Sequence, residues 1–202
     1  MTPTKDTRSL YEQRIQDRSA LRFVVGYCVR WRKNLKYAWA RFVARLNGAQ
    51  VGDAVVMPLS LAKKMNSNCV IGNHVTIETD KIDTRCPLTI GSNVIISGED
   101  TRIITASHDV DSPDWNYKEY GLKIEDYVWI ATNALILPSC RAVGYGSVVG
   151  AGSVVVKNVA PMSIISGNPA VLIRMRKSVH SSLVVESLMG GDFHQYCAVR
   201  KQ

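Results

Sequence analysis

Ile124-Glu-Asp-Tyr-Val-Trp, Ile130-Ala-Thr-Asn-Ala-Leu, Ile136-Leu-Pro-Ser-Cys-Arg, then Val143-Gly-Tyr-Gly-Ser-Val, Val149-Gly-Ala-Gly-Ser-Val and Val155-Val-Lys-Asn-Val-Ala: an aliphatic residue returns every six positions, with one step of seven. A small or β-branched residue usually sits four places after it. An α-helix of 3.6 residues per turn cannot hold a period of six on one face. A parallel β-helix can. Three short strands make one triangular coil, and each opening aliphatic points into a shared stack. Glycines and small residues at hexad positions two to four suit the tight corners between strands.

The repeat extends upstream. Ile71-Gly-Asn-His-Val-Thr precedes Ile77, Ile90-Gly-Ser-Asn-Val-Ile precedes Ile96, and a fainter hexad opens at Val51. Its phase breaks in three places. Ile77 and Ile90 lie 13 apart, one more than two hexads. The step of seven from Ile136 to Val143 predicts a bulged corner around Cys140 to Ala142. Between about Ile104 and Ile124 the pattern vanishes into a polar, turn-rich run from Ser107 through His108, Asp109, Asp111, Asp114 and Trp115 to Gly121. So long a loop inside a compact repeat array points to function or disorder. The chain thus divides into a basic helical segment over 1–48, a β-helix over 49–166 with an excursion loop at 105–123, and a C-terminal helix and tail over 167–202.

A length of 202 residues, 46% of them hydrophobic, fits one decorated domain with a packed core. The first twenty residues lack the apolar centre of a secretory signal, and no apolar run is long enough to span a bilayer. Five scattered cysteines without Cys-x-x-Cys spacing suit a reducing, cytoplasmic setting and point to no metal site. The net charge of +8 is concentrated: eight Lys or Arg and no acid lie between Arg18 and Gly52. Such localisation does not suit a surface built for nucleic acid.

Residues 1–8 read as disordered. Leu10 to Leu46 reads as helix, whole or broken near Arg18-Ser19 or Gly26. Val24, Cys28, Trp31, Leu35, Ala38, Phe42 and Leu46 recur at three- and four-residue steps as one apolar stripe. Arg30, Arg32, Lys33, Lys36, Arg41 and Arg45 occupy the remaining circumference. The stripe is expected to pack on the β-helix and shield its first coil. The basic face is then available to an anionic membrane surface or an anionic lipid-linked substrate. Ala170 to about Leu188 reads as a second helix, and Asp192 to Gln202 carries no clear signal. His74, His180 and His194 read as surface residues.

Several motifs carry more than a fold. They are Thr105-Ala-Ser-His108-Asp109, Trp129-Ile-Ala, Ile136-Leu-Pro138, Ala151-Gly-Ser-Val with Val156-Lys157, and Ser166-Gly-Asn-Pro-Ala170. In that order, over roughly residues 50–176, they resemble the left-handed β-helix acyltransferases of the hexapeptide-repeat family. The likeness is to sugar O-acetyltransferases of the maltose and galactoside type, and in the loop motif to those serving surface polysaccharides. The resemblance implies a homotrimer with acetyl-CoA in the groove between neighbouring β-helices. It implies that His108 is the general base for a sugar hydroxyl, a task suited to an imidazole on a projecting loop. On the acceptor side it implicates Trp129, with Asp109 and Glu125 as acids near the base. A backbone carbonyl would equally hold the imidazole's tautomer. On the coenzyme A side the matching positions are Thr132, Ala151, Val156, Lys157 and Arg174, the last two meeting phosphates. A backbone N–H near Ile130 to Thr132 is the expected oxyanion donor. Val156 stands where threonine is usual, and Val171 where some relatives carry a second arginine.

Other readings compete. One is acetyl transfer to an amino sugar or an antibiotic. Another is a non-catalytic β-helix scaffold. A third is a γ-type carbonic anhydrase, which needs three zinc-binding histidines where the repeat region offers only His74 and His108.

Overall fold

The computed structural model describes residues 9–200; the segment read as disordered, 1–8, lies outside the described residues, as do 201 and 202. The hexads build three parallel sheets that the chain visits in rotation. The first face holds Gln50–Val51, Cys69–Ile71, Leu88–Ile90, Leu122–Ile124 and Ala142–Val143. The second holds Thr76–Ile77, Ile95–Ile96, Trp129–Ile130, Val148–Val149 and Ser163–Gly167. The third holds Arg102–Ile103, Leu135–Ile136 and Val154–Val155. The architecture is mainly β, a three-sided parallel coil.

Register explains the period. On the second face Ile77, Ile96, Ile130, Val149 and Ile165 stand in one ladder. Ile71, Ile90, Ile124 and Val143 do the same on the first, and Ile103, Ile136 and Val155 on the third. All are buried, and they belong to one core that runs from Ala40 to Ile165. The residue four places into a hexad packs beneath a corner, where Val75, Val94, Val128, Ala134 and Ser153 are buried. Between the first and second faces each coil turns through a left-handed residue: Ala54, His74, Asn93, Tyr127, Gly146 and Met162.

The phase breaks are corners. The extra residue before Val143 is absorbed in a turn in which Cys140 N–H donates to Leu137 O, while Asn158 Oδ1 receives both Arg141 N–H and Ala142 N–H. The long break leaves the coil after Thr105 as an arm, Ala106–His108 paired antiparallel with Tyr117–Glu119, and returns at Leu122.

The N-terminal segment is two helices, α1 (Leu10–Gln16) and α2 (Ala20–Leu46), broken at Asp17–Ser19. Ser19 accepts Arg22 N–H and so starts α2. Gly26 does not break it. A Cβ there would lie 2.4 Å from the Tyr196 hydroxyl, so glycine is what lets that ring pack against the helix.

The docking face of α2 overturns the expectation. Val24, Cys28, Trp31, Leu35, Phe42 and Leu46 are exposed, and the buried residues are Gly26, Tyr37, Ala40 and Ala44. The first coil presents carbonyls that need donors, and arginines supply them. Arg41 donates to Val55 O at 2.9 Å, and Arg45 to Val51 O at 2.6 Å. Ala40 and Ala44 let the backbones approach, and α3 (Leu59–Lys64) fills the rest of the coil's open end with Leu61 and Ala62.

The helix expected from Ala170 is also corrected. Ala170–Met175 is a strand, antiparallel to Ser163–Gly167, and only a 3-10 turn forms at Val185–Leu188. Its aliphatic run, turned back at Gly167–Pro169, covers the edge of the last parallel strand. The helix of this region is instead α4 (Phe193–Val199), in the tail that carried no signal. Buried Asp192 just before it accepts from Arg30 at 2.9 Å and Tyr11 at 2.5 Å, fastening tail to N-terminus.

The ladder sets one expectation. Ile130→Ala removes the fully buried centre of the second-face stack and should cost about 2–5 kcal/mol, read as a fall in the urea midpoint. A loss below about 1 kcal/mol would contradict an aliphatic stack packed to the density of other cores.

Candidate active site

His108 ends the outgoing strand of the arm and is exposed. Its Nδ1 lies 2.7 Å from Trp115 O. A carbonyl can only accept, so Nδ1 carries a proton, and in the neutral ring Nε2 holds the lone pair. The contact depends on the loop's fold. Trp115 is in the left-handed region at φ 50°, and its N–H donates to Ser112 O. The Tyr117 ring meets the imidazole edge-on, centroids 5.7 Å apart. Of the partners open to the base, the backbone carbonyl is the one used.

Neither candidate acid touches the imidazole. Asp109 pairs with Lys118 across the arm at 2.6 Å, and this bond holds its carboxyl below the ordinary carboxylate range. Glu125 serves a corner between the first and second faces. It accepts Tyr145 N–H at 2.8 Å, which lowers its pKa, and also pairs with Lys123.

The remaining positions fall on separate parts of the prism. Trp129 is on the second face, half exposed, its Nε1–H donating to Ser97 Oγ at 3.2 Å. It shares a hollow of about 640 Å³ with Arg174, Arg176 and Lys177. Acceptor-side and donor-side candidates therefore meet on one wall. Thr132 and Ala151 stack along the corner between the second and third faces, joined by Gly152 N–H to Thr132 O, and both are exposed. Gly98 underlies Thr132 in the same column. Val156 and Lys157 follow the last third-face strand, where Lys157 lines a smaller hollow of about 250 Å³. Of the proposed oxyanion donors, Ala131 N–H is already committed to Val149 O at 2.9 Å. His74, expected at the surface, is half exposed and bonds to buried Glu186 at 2.5 Å.

Sequence reasoning missed the root of the arm. Asp83 pairs with Arg85 at 2.8 Å and accepts Thr105 N–H where the arm departs. Arg85 reaches over the Tyr117 ring, 5.6 Å from its centroid. Asp83, Arg85 and Tyr117 thus brace His108 from below. The signal was available: both charged residues lie in the irregular 13-residue step between Ile77 and Ile90.

An imidazole with one nitrogen open, held on an arm above a coil with a shelf of small residues, is an arrangement compatible with acyl transfer. No protein-family model matches the chain. WcaF of Escherichia coli (strain K12), named as a colanic acid biosynthesis acetyltransferase, is 32% identical over 147 residues, 72% of this chain and 80% of its own. The galactoside O-acetyltransferase of Lactococcus lactis is 36% identical over 139 residues, covering 66% of this chain and 56% of that one. A hexapeptide-repeat containing acetyltransferase of Vibrio cholerae, solved with acetyl coenzyme A, superposes with a TM-score of 0.59 at 26% identity, over 79% of this chain and 92% of that one. The chain belongs to the hexapeptide-repeat acetyltransferases.

The root of the arm gives a pH test. Arg85 holds the Asp83 carboxyl down at about 2 from an ordinary 3.8. A carboxyl depressed on folding adds stability that is complete above its unfolded pKa and is lost as pH falls through its folded one. Wild type should therefore exceed Asp83→Asn in urea midpoint at pH 6. The gap should close between about pH 4 and 2. A gap that does not change with pH would show that the ion pair contributes nothing.

Proposed function

We propose that the protein transfers an acetyl group from acetyl-CoA to a hydroxyl of a sugar or glycan, in the building of a surface polysaccharide. The observation that carries this is His108, its Nδ1 proton held by Trp115 O and its Nε2 open. Nε2 takes the proton from the acceptor hydroxyl as that oxygen attacks the thioester carbonyl. The tetrahedral intermediate collapses, the C–S bond breaks, and the imidazolium returns its proton to the departing thiolate. The polysaccharide context rests on the likeness to WcaF, and the hydroxyl acceptor on the galactoside enzyme.

The coil is proposed to wind left-handed, as the family resemblance implies, and the assembly to be a homotrimer. Topology supports the trimer. His108 leaves the corner between the third and first faces, whereas Thr132 and Ala151 line the corner between the second and third. An arm on one edge of a prism serves a shelf on another most directly when the shelf belongs to a neighbour. On this reading Thr132 and Ala151 flank the pantetheine arm, Val156 lies beside them, Lys157 and Arg174 meet phosphates, and Trp129 walls the acceptor. Asp109 and Glu125 act by holding arm and corner. Five free cysteines fit a cytoplasmic setting.

Three measurements test the proposal. A panel of sugars, amino sugars and antibiotics assayed with acetyl-CoA by thiol release should find a hydroxyl acceptor. On that acceptor His108→Ala should lower kcat by roughly 10²–10⁴ with coenzyme A binding nearly intact. Near-normal turnover by that variant would remove the imidazole from the mechanism. Light scattering should give three times the chain mass of 22.4 kDa. A catalytically active monomer would end the inter-subunit reading.

A further inference from the structure

Helix α2 turns its most hydrophobic side away from the protein. At about 100° per residue, Leu21, Val24, Cys28, Trp31, Leu35, Trp39, Phe42 and Leu46 fall within roughly 80° of arc. That arc is centred opposite the docked residues Gly26, Tyr37, Ala40 and Ala44. Leu21 is 75% exposed, Trp39 55% and Trp31 49%. The stripe is about 37 Å long at 1.5 Å per residue. A continuous apolar face of this size on a folded protein marks a contact surface.

Charge selects the occupant. The helix has seven bases and no acid. Arg30, Lys33, Arg41 and Arg45 are engaged with Asp192 and with backbone carbonyls. Arg22, Arg32 and Lys36 are exposed and form no ion pair among the described residues. Arg32 and Lys36 also rim a hollow of about 490 Å³ floored by Cys28 and Val29, beside the stripe. A second α2 laid on this stripe would bring the exposed bases beside it against their own copies, with no acid of the helix between them. An anionic lipid surface neutralises the same charge. Two tryptophans on the stripe suit the headgroup boundary. No described helix is long and apolar enough to cross a membrane, so the geometry is that of a helix lying in the surface plane.

We propose that α2 is an in-plane membrane anchor that inserts the Leu21–Leu46 stripe into an anionic leaflet, with Arg32 and Lys36 at its phosphates. It is independent of the acyl-transfer reading, because binding is measured without donor or acceptor.

The experiment is flotation of the full chain with phosphatidylcholine vesicles, with and without 30% phosphatidylglycerol as the design of the assay. Wild type should float with the anionic vesicles, less so as salt rises. Each base near an anionic surface is worth roughly fivefold in affinity. Arg32→Gln with Lys36→Gln should therefore lower low-salt binding by at least about tenfold. Trp31→Ser with Trp39→Ser should lower binding at every salt concentration, with oligomeric mass and circular dichroism unchanged. These residues are solvent-facing, so folding is preserved. No flotation of wild type on anionic vesicles at low salt would overturn the proposal. So would a tryptophan variant that breaks the assembly yet floats as well as wild type, which would give the stripe to a second copy.

Discussion

A coil of the β-helix has no core of its own. Each is at most three short strands, one to a face and some only two residues long, and its backbone groups and inward side chains find partners only in the coils above and below. The ladder from Ile77 through Ile96, Ile130 and Val149 to Ile165 is where that dependence is concentrated. Because each rung must lie over the last, six residues per face is enforced wherever the stack continues. Anything that does not fit six is expelled to a corner. The arm with His108, the turn at Cys140 and the corner holding Asp83 and Arg85 are all such expulsions. The chemistry is therefore on the outside edges of a rigid prism.

That placement explains how an exposed histidine becomes ordered. The arm is a two-stranded hairpin, marginal alone in water. It is held at its root by Asp83 and Thr105, along its side by Arg85 against Tyr117, and across its strands by Lys118 with Asp109. The Trp115 carbonyl then sets the imidazole's tautomer. Acids near His108 in sequence brace the arm and leave the ring alone.

Both ends of the coil needed closing, and each was closed differently. At the C-terminal end the chain folds back as Ala170–Met175 and pairs with the last parallel strand. At the N-terminal end the open carbonyls of Val51 and Val55 call for donors more than for apolar cover, so Arg41 and Arg45 face inward. An unpaired buried carbonyl costs roughly 1–3 kcal/mol, which these two bonds avoid. The apolar stripe is left outside as the consequence.

The hexads and their breaks determined by themselves the coil, its inward residues and the site of the arm, because a period of six is a local property that only a three-sided stack satisfies. His108 was legible because its residue type sits where the period fails. Tertiary structure decided the rest. It decided which face of α2 docks, since that depends on carbonyls left open on the first coil, six and fourteen residues beyond the arginines that meet them. It decided that Ala170–Met175 is a strand, since a sheet edge waits for it. It decided that Trp115 O, Arg85 and Tyr117 order the His108 imidazole, and that Thr132 and Ala151 stand on a different edge from it. Each of these follows from contacts between segments whose pairing no local pattern records.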